Sequence, residues 1–361
     1  MSPDPDAELQ SVFESLEARG SARCRLWSDP ASGLRAILVI DDLTLGPAAG
    51  GVRTRVYPSL GAAAEDCAKL ARAMTIKCAL AGLDAGGAKL VVMDQPELDR
   101  PRAFARLGQL VDELDGQFRT AGDLGTTKRD LEAMATNCRF VHTDESGLAD
   151  AVAGALLRCI EACASTRGVA VASLCVAVQG VGVIGEAVAR RLAAAGARIL
   201  LADLDRDRAL RVASELGAER ADPLALLTAN TDILAPCAVG GVIGGEEART
   251  LRAWAVCGAA NNILADDSAA KILSDRGVLF VPDPVASAGA VIEGVGRSVM
   301  GLEDPGPLID ALGVTALEIL RESATSGEPT PVVAERRARI RIERSVHRVG
   351  ALRTTRSGKW T

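Results

Sequence analysis

The stretch Val176-Ala-Val-Gln-Gly180-Val-Gly182-Val-Ile-Gly185 decides the fold. It closes an apolar run and leads into an alanine-rich amphipathic stretch, Glu186 to Ala195. A second apolar run, Ala197-Arg-Ile-Leu-Leu-Ala202, follows and ends at Asp203. Strand, Gly-x-Gly-x-x-Gly, helix, strand and terminal acid over about thirty residues is the dinucleotide-binding pattern. Gly180 suits the tight turn, Gly182 the approach of a pyrophosphate, and Gly185 the packing of helix on strand. The unpaired amides and dipole of the helix start favour the anion. A Gly-x-Gly-x-x-Gly alone is as readily a plain strand–helix turn; the flanks and the acid point to a nucleotide. The expected cofactor contacts are Gly180, Val181, Gly182, Val183, Ile184, Gly185, Asp203 and Leu204. A carboxylate at Asp203 accepts from ribose hydroxyls and repels a 2′-phosphate, so NAD is expected over NADP, with Arg206 and Arg208 close enough to compete.

Upstream, Lys77 and Lys89 bracket Cys-Ala-Leu-Ala-Gly-Leu-Asp-Ala-Gly-Gly-Ala. Lys77 ends a helix-like run, and Lys89 opens the strand-like Leu90-Val-Val-Met93. A glycine-rich loop joining the two can bring the ammonium groups together. Close cations and partial burial each lower a lysine pKa, and a cation pair attracts a carboxylate. One lysine can then hold an anionic substrate while the other does acid–base work. The competing interpretation is a pair of solvated surface charges, the fate of most lysines.

Composition narrows the class. A chain of 361 residues suits two domains. Apolar residues make up 48% and aromatics only 2%, so the core must be built from Ala, Val, Leu and Ile, as in parallel strands alternating with helices. The net charge of −6 argues against nucleic acid as a general partner. No apolar run approaches the roughly 20 residues of a membrane span, and the acidic N-terminus lacks an apolar signal region. The nine cysteines lie in apolar segments without a Cys-x-x-Cys pair, which suits buried thiols in a reducing cytoplasm. With His142 and His347 the only histidines, no metal site or histidine-based triad is expected.

Along the chain, a short helix is expected over 8–18 and strands over 24–27 and 34–40. A glycine-rich loop is expected over 45–53, a helix over 62–75, and a further helix over 101–115. A short strand at 117–120 ends at Ala121-Gly-Asp123. The polar stretch 143–149 suits a hinge, and a long helix over 151–166 precedes the nucleotide unit. Eight arginines between Arg336 and Arg356 suit a solvated helix followed by a disordered tail, or a subunit or interdomain contact.

Taken together these motifs resemble the Glu/Leu/Phe/Val amino acid dehydrogenases, most closely the phenylalanine and leucine branch. The resemblance runs from about Trp27 to Met300. It rests on Leu45-Gly-Pro-Ala-Ala-Gly-Gly-Val-Arg53, Met74-Thr-Ile-Lys77, Gly82-Leu-Asp-Ala-Gly-Gly-Ala-Lys89, Thr120-Ala-Gly-Asp123, Ala235-Pro-Cys-Ala-Val-Gly-Gly241, Gly258-Ala-Ala-Asn-Asn262 and Pro282-Asp-Pro-Val-Ala-Ser-Ala-Gly289. It implies two α/β domains with a catalytic cleft between them. One is a substrate domain at about 1–140, with C-terminal helices at about 300–361 packing back. The other is a Rossmann-type domain at about 145–300. It also implies reversible NAD-dependent oxidative deamination of an L-amino acid and a cytoplasmic homo-oligomer. By resemblance, Lys77 binds the substrate carboxylate with backbone help from Gly50 and Gly51. Lys89 is the acid–base lysine and Asp123 exchanges protons with the substrate nitrogen. Arg53, Cys237, Ala238, Ala259, Ala260 and Asn261 match cofactor contacts, Asn261 also lying near the substrate amino group.

Three motifs depart from the family pattern. Ser287 and Ala290 stand in Ser287-Ala-Gly-Ala290 where Asn-Ala-Gly-Gly is usual; Val152 replaces a threonine, and Gly122 precedes the aspartate where many members carry Glu. By resemblance, Ala49 and Gly294 fall where bulkier residues narrow the pocket in leucine-preferring members, which implies volume for a larger substrate side chain, at roughly 1–3 kcal/mol per methylene filled. A bulky apolar or aromatic amino acid such as phenylalanine is therefore expected. A branched-chain or specialised biosynthetic dehydrogenase is the alternative, and a nucleotide-binding paralogue with weak turnover is the alternative of another class.

Overall fold

The computed structural model describes residues 5–18, 20 and 23–356, with side chains for residues 10–18, 20 and 23–346. The chain divides into two compact units, 1–145 with 298–301 and 339–361, and 146–297 with 302–338.

The first unit runs α1 (Pro5–Glu17), β1 (Arg23–Asp29), β2 (Leu34–Asp42), β3 (Ala48–Arg55), α2 (Leu60–Leu80), β4 (Gly86–Met93), α3 (Arg100–Asp112), β5 (Phe118–Gly122) and α4 (Lys128–Ala135). Its five strands are ordered β1-β2-β4-β3-β5; β2 is antiparallel to β1 and β4, and β3 is parallel to β4 and β5. Alternation along the strands sends side chains to two different cores. Leu38, Ile40, Val52, Leu90 and Val92 meet Phe104, Leu107, Leu131 and Met134 of α3 and α4. Ile37, Val39 and Val91 meet Ala63, Ala64, Ala68 and Ala71 of α2. These alanines let α2 lie close on the sheet. Lys89 alternates with Leu90 and Arg53 with Val52, which puts both on the α2 face.

The glycine-rich segment 45–53, expected as a loop, is mostly strand, because β3 spans Ala48–Arg55. Its small residues serve a tight fit: a Cβ on Gly50 would overlap the Ala88 carbonyl of β4. The helix expected over 62–75 begins at Leu60, where Ser59 caps the Ala62 amide at 3.1 Å, and continues to Leu80. Lys77 therefore lies inside its last turn. The carbonyls of Cys78 and Ala79 accept from Arg341 Nη1 at 3.1 and 2.7 Å.

The second unit begins with α5 (Leu148–Thr166), then alternates β6 (Cys175–Gln179), α6 (Val183–Ala194), β7 (Arg198–Ala202), α7 (Arg206–Leu216), β8 (Glu219–Arg220), β9 (Ile233–Pro236), α8 (Gly245–Thr250), β10 (Ala255–Val256), α9 (Asp267–Asp275) and β11 (Leu279–Phe280). Helices α10 (Asp283–Ala286), α11 (Gly289–Met300), α12 (Gly306–Ser326) and α13 (Thr330–Arg356) follow. The six strands are parallel and ordered β11-β10-β9-β6-β7-β8. Strand order reverses between β6 and β9, the switch point at which open parallel sheets bind ligands beyond their carboxyl ends. Within the segment expected to return to the first unit, α12 lies against α5 in the second, with Arg158 Nε 2.8 Å from Asp310 Oδ1. Residues 339–356 join the first unit. The expected tail beyond Arg356 falls outside the described residues.

All nine cysteines carry free thiols, six of them buried. Among the described residues no helix is long and apolar enough to cross a membrane, and no group of His, Cys, Asp and Glu side chains is arranged to hold a metal ion.

Candidate active site

In the first unit the charged residues meet on the α2 face of the sheet. Lys89, in mid-strand and only 5% exposed, places Nζ 2.7 Å from Asp123 Oδ2. Arg53 Nε reaches the same oxygen at 2.8 Å. Parallel pairing sets β3 between β4 and β5, so the residue just past β5 can meet a lysine from β4. Gly51 makes room: a Cβ there would stand 3.0 Å from Asp123 Cβ.

Burial pushes the Lys89 ammonium below the usual lysine range, and Arg53 adds to the shift while Asp123 opposes it. Burial works against ionisation of Asp123, but Lys89 and then Arg53 outweigh it and hold the carboxyl below its usual range. Lys89 is thus a depressed amine beside a committed carboxylate, the pairing that acid–base work requires. Its neighbouring cation is Arg53, which together with burial gives the downward shift.

Lys77 is buried in the last turn of α2, 9% exposed. The helix end that carries it is tied to the sheet by Thr75, whose Oγ1 donates to Asp41 Oδ2 at 2.6 Å. Gly50 and Gly51 lie in β3, in register with Thr120 and Ala121 of β5.

Two residues absent from the sequence expectations belong to this cluster. Asp66 of α2 accepts from Arg53 Nη1 at 3.2 Å and from the Tyr57 hydroxyl at 2.6 Å. One signal was present: Asp66 and Lys77 stand about three helical turns apart, hence on one face of α2.

In the second unit the expected cofactor residues gather at the carboxyl ends of β6, β7 and β9. Gly180 has a φ of 85°, where a side chain is strained, and a Cβ there would stand 2.5 Å from Ala238 Cβ, so the loops after β6 and β9 touch. A Cβ on Gly185 would overlap the Gly180 carbonyl, which is the close packing its position suggested, whereas one on Gly182 would meet open space. No side chain caps the start of α6, leaving Val183, Ile184 and Gly185 at an open helix N-terminus that suits a pyrophosphate. Val183 and Leu204 are 80% and 90% exposed, an apolar rim beside that terminus.

Asp203 accepts from the Val181 amide through Oδ2 at 2.7 Å and from the Asp205 amide through Oδ1 at 2.8 Å, which fixes its carboxylate at the glycine turn. Arg208 lies 3.7 Å from Asp203 but closer, 3.0 Å, to Asp205. Cys237 donates its amide to the Gln179 carbonyl, and Ala260 to the Pro236 carbonyl, lining the loops after β9 and β10 beside the switch point. Ala259 and Asn261 flank Ala260 in the second of these loops. Ser287, the departure in α10's end, donates to the Asp283 carbonyl at 2.6 Å with Asn261 Oδ1 at 3.2 Å. The serine thus keeps a polar contact to Asn261. Val152 is buried in α5 and brings no hydroxyl.

Two family models match. Residues 22–140 match "Glu/Leu/Phe/Val dehydrogenase, dimerisation domain" and residues 201–295 match "Glutamate/Leucine/Phenylalanine/Valine dehydrogenase". The chain is 35% identical to leucine dehydrogenase of Bacillus cereus, covering 92% of this chain and 93% of that protein. It is 33% identical to phenylalanine dehydrogenase of Lysinibacillus sphaericus, over 92% and 91%. The crystal structure of L-tryptophan dehydrogenase from Nostoc punctiforme superposes with a TM-score of 0.84 at 29% identity, covering 93% of this chain and 99% of that one. The chain belongs to the Glu/Leu/Phe/Val dehydrogenase family of amino acid dehydrogenases.

Proposed function

We propose that the protein catalyses the reversible NAD-dependent oxidative deamination of an L-amino acid to a 2-oxo acid and ammonia, with a bulky apolar or aromatic side chain such as that of phenylalanine preferred. The contact of Lys89 with Asp123 under the Arg53 guanidinium carries the proposal. Hydride loss from the α-carbon leaves a cationic iminium that water must attack. Lys89, its pKa lowered, takes a proton from that water as it adds and returns one to the 2-oxo oxygen in reverse. Asp123, held ionised, accepts a proton from the substrate ammonium or stabilises the cationic iminium. Lys77 pairs with the substrate carboxylate, with the Gly50 and Gly51 backbone beside it.

Bound NAD supplies the hydride acceptor. Gly180 to Gly185, Asp203 and Leu204 would hold its adenosine and pyrophosphate, and Cys237, Ala238, Ala259, Ala260 and Asn261 its nicotinamide half. Arg53 is a further cofactor contact in this reading. Residues 1–140 with part of the C-terminal helices would serve the amino acid, and 145–300 the cofactor. The match of residues 22–140 to a dimerisation domain and the edge position of β1 support a homo-oligomer. Six thiols buried among apolar groups support a reducing, cytoplasmic setting.

The likeness to L-tryptophan dehydrogenase and the small residues Ala49 and Gly294 support an aromatic substrate; the identity to leucine dehydrogenase supports a branched-chain one as the second reading. Following NADH absorbance with NAD and a panel of L-amino acids tests both. Fastest kcat/KM on phenylalanine or another aromatic is expected. Preference for leucine or valine would select the second reading, and no turnover on any member would refute the dehydrogenase assignment.

A further inference from the structure

Asp123 is held by more than the lysine it works with. Arg53 donates to it from Nε at 2.8 Å while its Nη1 lies 3.2 Å from Asp66 Oδ2. Asp66 accepts in turn from the Tyr57 hydroxyl at 2.6 Å. A planar guanidinium bridging two carboxylates cannot turn without losing one of them. Arg53 is largely enclosed, with 17% of its side chain exposed, so both pairs persist where solvent would otherwise screen them. Burial, and then Asp66, push the Tyr57 phenol upward, so it stays a neutral donor. The resulting order is Tyr57, Asp66, Arg53, Asp123, Lys89, drawn from β3 and its exit, α2, β4 and the end of β5.

We propose that Asp66, steadied by Tyr57, is a positioning residue for proton exchange at Asp123. It anchors Arg53, and Arg53 with Lys89 occupies Asp123 Oδ2, so the proton is exchanged at the other carboxylate oxygen, the Leu124 amide also hydrogen-bonding this carboxylate. In the deamination direction an N–H bond of the substrate ammonium breaks, the electron pair stays on nitrogen, and an O–H bond forms on that oxygen. The inference rests on the reading of Asp123 as the proton-exchanging group.

The test uses the full chain with Asp66→Asn, Asp66→Glu and Tyr57→Phe, and with Asp123→Asn alongside. Asp66→Asn should lower kcat by between about tenfold and a hundredfold, the scale of a misplaced catalytic group. The amino acid KM should stay within about twofold, since it does not report on proton exchange. Two effects on the acid limb of the kcat profile oppose each other. Removing the Asp66 charge favours an ionised Asp123, whereas releasing Arg53 disfavours it. Contact outweighs distance, so the limb should move upward. Tyr57→Phe should do the same by less, and Asp66→Glu should restore most of the rate. Wild-type kcat and an unmoved limb in Asp66→Asn, or in Tyr57→Phe should the first variant not fold, overturn the inference. A silent Asp123→Asn beside a fully active Asp66→Asn refutes the anchoring alone, whereas wild-type turnover in Asp123→Asn refutes the role of Asp123 itself.

Discussion

Lys89 Nζ and Asp123 Oδ2 stand 2.7 Å apart, one from the middle of β4 and the other just past the end of β5, with β3 between their strands. Each makes the other's ionisation matter. The carboxylate opposes the loss of charge that burial favours in the amine, and the amine helps keep a buried carboxyl ionised.

Replacing Lys89 with Ala should abolish turnover and leave NADH binding intact, because Lys89 lies in the first unit and the glycine turn in the second. A loss of at least about a hundredfold in kcat is expected; fluorescence titration with NADH measures the binding. Retention of most of the wild-type rate would show that another group is the base.

Lys77→Ala should raise the amino acid KM more than it lowers kcat. An ion pair with the substrate carboxylate exists in both the ground state and the transition state, so its loss is felt mainly in binding. Steady-state kinetics with the preferred amino acid decides this, and an unchanged KM would exclude the assignment.

The pH dependence follows from the Lys89 shift. Its pKa lies below that of an ordinary lysine, so the neutral amine appears at lower pH than usual and kcat/KM for deamination should rise through that depressed value. Amination of the 2-oxo acid, which needs the protonated form, should fall over the same window. Asp123 raises the Lys89 pKa, so Asp123→Asn should lower it further. The pH dependence of Lys89 labelling by an amine reagent, located by mass spectrometry, reads this without turnover. An upward shift in the variant would mean that Asp123 does not stabilise the ammonium.

Asp203→Ser should weaken NADH binding by about 1.5–3 kcal/mol through loss of a charge-assisted hydrogen bond. It should also narrow the preference for NAD over NADP, with Arg208, now 3.7 Å from Asp203, released to meet a 2′-phosphate. Wild-type protein that uses both cofactors equally would show the arginine already prevailing.

Gly50→Ala should destabilise the first unit by about 1–3 kcal/mol, because the new methyl overlaps the Ala88 carbonyl and two paired strands must separate to admit it. Thermal unfolding of the variant measures the cost; an unchanged Tm would mean that β3 and β4 part freely there.

The nucleotide half was legible from the chain because its evidence is local. Gly180, Gly182, Gly185 and Asp203 fall within one strand–helix–strand unit, and each glycine's task is fixed by its own turn. The other half depends on strand order. Nothing near Asp123 in the sequence says that β5 will lie beside β3, so that Arg53 and Lys89 both reach it. Asp66 was missed for a related reason: one acid on an alanine-rich helix looks like a solubilising charge until Arg53 faces it. The segment 45–53 misled because glycines usually break strands; in this sheet they let β3 press against β4. The arginines of α13 looked like surface charge, yet Arg341 is spent on the carbonyls of Cys78 and Ala79.

That last contact has a bearing on synthesis. The helix presenting Lys77 is made early, but the guanidinium that covers its final carbonyls is made 263 positions after Cys78. A growing chain carries the second unit nearly whole before the first can close. A chain stopped short of Arg341 should be cut first by proteases between Ala81 and Ala85, just past the uncovered helix end.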